Sequence, residues 1–138
     1  MTRLVLPTDL QMRILEEARI AFPRECCGLL EGVRAANGEE FRVTALYPAQ
    51  NLAPESDRFE IAPQDHFRAF KAARSNGAGL IGCYHSHPNG RAEPSAADKA
   101  GAGEEDFVWL IAAGNRLEAF VYRCGEFSPA CRSDDTGL

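Results

Sequence analysis

The chain has 138 residues, 45% hydrophobic and 25% charged, which suits one globular domain and leaves too little apolar material for a second core. A formal net charge of -5 without a run of Lys or Arg argues against nucleic acid or an anionic membrane surface as partner, because phosphate binding needs clustered cations; Arg68, Lys71 and Arg74 form only a local basic spot. The opening MTRLVLPTDLQ lacks a signal-peptide core, no stretch approaches the roughly 18 apolar residues that span a bilayer, and the cysteines number five, so a cytoplasmic protein with reduced thiols is expected.

The elements follow in order. RLVL reads as a short strand. In PTDLQMRILEEARIAF, Thr8 and Gln11 have capping-box spacing, and Leu10, Ile14, Ala18 and Phe22 approximate an apolar helical stripe that Pro23 ends. CCGLLEGV and EFRVTALY read as strands joined through RAANGE, where Asn37-Gly38 tolerates positive φ. A loop from Pro48 to Arg58 leads into a short strand FEIA. Pro63 near its start and Gly77 past its end bracket a helix from Pro63 to Asn76. Next come strand LIGCYHSH, loop PNGRAEP, a helix from Ser95, strand FVWLIAA and strand RLEAFVYR. The tail after Cys124 reads as irregular. Interleaved helices and strands predict a single α/β domain over residues 1–138, its core at about 3–123, with helices packed on a mixed sheet.

The chain has three histidines, and two of them are His85 and His87. On a strand they share a face, with Cβ atoms roughly 6 to 7 Å apart, so both imidazoles can converge on one metal. A tetrahedral catalytic zinc wants a third protein ligand and keeps one position for water. Asp98 follows Ser95 by one helical turn; with Ser95 as N-cap, the positive helix end favours the ionised, metal-binding carboxylate. Ser95 and Asp98 also fit a plain helix-start signature. Cys83 shares the histidine face and reads first as a core thiol, with approach to the metal as the alternative; Trp109 reads as core and His66 as surface. Periodicity does not choose among Glu25, Glu31, Glu55, Glu60 and Glu93 as an acid/base partner.

HSHP, seven residues, then SAAD form the pattern H-x-H-x7-S-x-x-D. This resembles the JAMM metalloproteases of the MPN domain family, and PRECCGLLEG, Pro23 to Gly32, is similar to that family's glutamate-bearing first strand. The resemblance implies a single MPN domain with the deaminase-like mixed β-sheet sandwiched by helices. It further implies Zn2+ on His85, His87 and Asp98, Glu25 as acid/base and Ser95 polarising the intermediate. The implied chemistry is hydrolysis of peptide or isopeptide bonds. Minimal members act on ubiquitin-like sulfur-carrier proteins ending in Gly-Gly, removing cysteine or another adduct, with Ala53 to Arg58 as a candidate binding rim. A deubiquitinase-like enzyme, a general peptidase and an inert MPN scaffold are the alternatives; a zinc deaminase would need the H-x-E and P-C-x-x-C elements, which are absent.

Overall fold

The computed structural model describes residues 1–134. Its strands are β1 (Arg3–Val5), β2 (Cys27–Arg34), β3 (Glu40–Ala49), β4 (Gly79–Ser86), β5 (Phe107–Ala113), β6 (Arg116–Arg123) and β7 (Glu126–Ser133). The helices are α1 (Thr8–Ala21), α2 (Pro63–Ser75) and α3 (Ala96–Gly101).

The strands are ordered β1-β3-β2-β4-β5-β6-β7 and close into a ring, because β1 pairs in parallel with both β3 and β7. β2 pairs antiparallel with β3 and β4, while β4 and β5 are parallel neighbours joined through α3. Alternation along β4 sends Tyr84 into one apolar layer and Cys83 into another. The first layer includes Leu10 and Ile14 of α1; the second includes Ala69 of α2. Helices therefore cover both faces of the mixed sheet, as expected. α2 buries the small side chains Ala69 and Ala73, so it packs closely on β2, β3 and β4 while Phe67 and Phe70 stay outside.

Gly28 has a direct steric reason. A Cβ on Gly28 would stand 2.3 Å from Cζ of Tyr84, so the ring lies where a side chain would be, and its hydroxyl donates to Glu17 Oε1 at 2.8 Å.

Three local expectations are corrected. Pro7, not Thr8, is the N-cap of α1, and no side chain caps it; Gln11 instead donates from Nε2 to the carbonyl of Leu6 at 2.9 Å. FEIA contributes only an isolated bridge between Ile61 and Asn51, since Asn51 satisfies much of the local backbone itself. The tail expected to be irregular forms β7, which pairs with β6 and β1; its last four residues, 135–138, lie outside the described residues. Among the described residues, no helix is long and apolar enough to cross a membrane.

Candidate metal centre and reaction cleft

The centre forms where β4 ends. Cys27 lies opposite His85 in the β2–β4 register, and the His87 amide donates to the carbonyl of Ala112 at 2.8 Å, which extends the strand pairing past Ser86. Both histidines are buried, and their Nε2 atoms are 2.9 Å apart. Asp98 reaches the same point from α3: its Oδ2 is 3.1 Å from each Nε2. Ser95 caps α3, accepting from the Asp98 amide at 3.0 Å while its own amide donates to Asp98 Oδ2 at 2.9 Å. The capping box expected from SAAD is present, and it aims the carboxylate at the histidines.

Protonation follows from partners. His87 Nδ1 lies 2.8 Å from the carbonyl of Arg91, which can only accept, so that nitrogen carries the proton and Nε2 presents a lone pair. Burial lowers the pKa of His85, against the pull of Asp98. Burial would raise the Asp98 carboxyl, but the two imidazoles outweigh it and hold the acid well below the usual carboxylate range. Two imidazoles and an ionised carboxylate are a hard-to-borderline donor set suited to zinc. Zinc with bonds of about 2.05 Å sets tetrahedral ligand atoms roughly 3.3 Å apart; separations of 2.9 to 3.1 Å approach that arrangement. The residues fit the ion.

Glu25 stands beside them. A carboxylate oxygen of Glu25 and one ring nitrogen each of His85 and His87 lie within 4.8 Å of one another, so Glu25 borders the candidate metal position. It is 4% exposed, yet its Oε1 has no hydrogen-bond partner. Burial pushes its carboxyl up to about 7; the charges of Asp98 and Asp57 add to the rise and His87 opposes it. The chain around it is pinned. Asn51 Nδ2 donates to the Glu25 carbonyl at 3.0 Å, and the Cys26 amide donates to Ser86 Oγ at 2.8 Å, tying this segment to the histidine strand.

Glu25, His87, Ser95 and the loop residues Ser56, Asp57 and Arg58 line a cleft of about 360 Å³. A larger cleft of about 840 Å³ adjoins it, sharing Arg58, Ala96 and Ala97 and running past Ala53, Phe59 and Trp109. Residues 53–58 thus rim both. The Phe59 ring stacks on His85 with centroids 4.3 Å apart, and Trp109 meets the same imidazole edge-on at 5.7 Å. Sequence reading assigned Trp109 to the core alone and passed over Phe59, Asn51 and Ser86. An aromatic heading FEIA and an asparagine in the preceding loop were the available signals. Cys83 joins the core of Leu29, Ala69, Phe107 and Trp109, where burial raises its thiol well above the ordinary value. Cys26 and Cys27 are likewise pushed up to about 11 and about 12 by burial, so they stay protonated near neutral pH. His66 is exposed, at the wall of the larger cleft.

A buried donor trio that could hold a cation, beside a carboxyl poised to exchange protons near neutrality, suits metal-assisted amide hydrolysis. Residues 7–124 match the model of the prokaryotic homologues of the JAB domain, and the chain belongs to that family. It is 33% identical over 132 residues to the desampylase of Haloferax volcanii, covering 91% of this chain and 92% of that one. It is also 30% identical over 99 residues to tail tip assembly protein K of Escherichia phage N15, covering 71% of this chain but 36% of that longer protein. The solution structure of a Desulfitobacterium hafniense protein superposes with a TM-score of 0.80 at 29% identity, covering 98% of this chain and 94% of that chain. The enzyme is a JAMM-type isopeptidase.

Proposed function

We propose that the protein is a zinc-dependent isopeptidase that frees a small ubiquitin-like protein from whatever is joined to its C-terminal Gly-Gly. The observation that carries this reading is the convergence of His85, His87 and Asp98 on one point, with the Glu25 carboxyl alongside, its Oε1 without a partner. Similarity to a protein named a desampylase supports the choice of a ubiquitin-like partner. The partner is a sulfur carrier in our reading, and the bond broken joins its terminal glycine to cysteine or another amine. Five free cysteines suit a reducing compartment such as the cytoplasm.

His85, His87 and Asp98 would hold the ion, which when bound would supply Lewis acidity toward the scissile carbonyl and lower the pKa of water toward neutrality. Glu25 takes a proton from the attacking water and returns it to the departing amine, a role suited to a carboxyl at about 7. The Ser95 oxygen accepts from the Asp98 amide, which leaves its hydroxyl proton free to donate to the carbonyl oxygen as charge builds there. The acyl tail lies in the larger cleft, held by residues 53–58. A Gly-Gly end fits because it brings no side chain to the narrow approach beside Ser95.

The test measures zinc content of the purified protein and the mass of a carrier–cysteine adduct incubated with it, with and without chelator. One equivalent of zinc and chelator-sensitive release of the intact carrier are expected. An adduct left whole by zinc-loaded enzyme, while unrelated unfolded peptides are cut at many positions, would make it a general peptidase.

A further inference from the structure

The reaction cleft has two flanks, and only one is occupied by the acyl tail. Between α1 and the ends of β4 and β5 runs a second groove, of about 630 Å³, which shares His87 and Pro88 with the reaction cleft. Its lining is mainly apolar: Leu15, Ala18, Pro88 and Ala112 lie along it, and Met12 and Phe22 stand at its rim. The fold does not use those two rim residues. α1 fastens to the sheet through Leu10 and Ile14, whereas Met12 is 65% and Phe22 64% exposed. The charges at the rim, Glu16 and Arg19, are engaged with each other through bonds of 3.0 and 2.6 Å, so they ask no charge of an occupant.

The chemistry gives the cleft a direction. Ser95, at the start of α3, serves the acyl oxygen, and the larger cleft is continuous with it through Ala96 and Ala97. Glu25, on the segment that follows α1 and beside Glu17, Ile20 and Ala21 of that helix, serves the departing amine. The amine side therefore faces α1.

We infer that the α1 groove is the leaving-side subsite of this isopeptidase, taking an apolar side chain of the polypeptide whose lysine amine departs. The assignment rests on the proposed reaction for its direction. It makes the enzyme selective for lysines flanked by apolar residues, with Met12 and Phe22 as specificity-determining residues.

The probes are two conjugates in which a ubiquitin-fold protein ending in Gly-Gly is joined to the lysine of a short peptide, the lysine flanked by Leu in one and by Asp in the other. The Leu conjugate should be cleaved with roughly tenfold higher kcat/KM, the scale of an apolar pocket's discrimination. Met12→Ser and Phe22→Ser should each move that ratio toward one; Met12 lies on an exposed helix face, so its variant keeps the test open if the Phe22 variant folds poorly. A second readout needs no turnover. The chain has two methionines, so methyl-labelled protein reports Met12 as one of two signals, and the free Leu peptide, not the Asp peptide, should shift it. Cleavage of both conjugates at equal rates overturns the subsite and leaves the isopeptidase reading standing. No cleavage, with a Met12 shift specific to the Leu peptide, overturns the reaction and keeps the groove's preference. A Met12 signal that moves with protein concentration and ignores both peptides assigns the groove to a second copy of the chain and overturns the inference.

Discussion

Glu25 and Glu31 stand six residues apart in one stretch of chain, equally buried, and they have opposite surroundings. Glu31 sits where the pairing of β2 slips against both β3 and β4. It accepts from Thr44 Oγ1 and Tyr47 Oη at 2.6 Å each and from Asn76 Nδ2 at 2.9 Å. Burial raises its pKa, but these three donors outweigh burial and hold the carboxyl below its ordinary value. Glu25 has an oxygen with no donor at all and a pKa raised to about 7. A buried carboxylate with its bonds filled holds strands together; one left wanting is free to trade protons.

Exchanging each for glutamine tests that contrast. Glu25→Gln should cut isopeptide turnover by roughly 100-fold or more while zinc content stays at the wild-type level, since the lost function is proton transfer; loss of zinc on the same change would make Glu25 a ligand instead. Glu31→Gln should cost stability, about 1–3 kcal/mol in denaturant unfolding, because an amide cannot accept from all three donors and strands at least one of them. Its pH dependence has a definite sign. The folded Glu31 pKa lies below the ordinary 4.5, so its contribution is fully present above that pH and is lost as pH falls through the folded value. The stability gap between wild type and Glu31→Gln should therefore be constant near neutrality and close in acid; a gap that widened in acid would overturn the assignment. The smallest effect belongs to Asp57, an exposed carboxylate whose charge raises the Glu25 pKa. Asp57→Asn should shift the acid limb of the activity profile slightly toward lower pH, less so in high salt.

The site was more legible in the sequence than the fold around it, and the residues show why. His85 with His87, and Ser95 with Asp98, are fixed by period-two alternation and by one helical turn, relations that local geometry decides. Glu25 reaches the centre only through the pairing of β2 with β4, which no spacing expresses, so the resemblance alone singled it out. β7 carries little burial, and EFSPACRS has Pro129 in its middle, so neither alternation nor propensity marked it. FEIA looked like a strand because it is apolar and aromatic, yet those residues serve the cleft wall and His85. Thr8 had capping spacing, but Pro7 already set the backbone at the helix start.

The ring is fastened by little. β1 spans Arg3–Val5 and pairs with β3 at Glu40, Phe41 and Arg42, and with β7 at Cys131, Arg132 and Ser133. Deleting it would uncover rows of unpaired amides and carbonyls on β3 and β7, which are templates for intermolecular pairing. The three-residue strand thus guards the whole barrel against self-association, and an affinity tag or truncation that displaced it would yield aggregates from a chain whose His85, His87 and Asp98 are all intact.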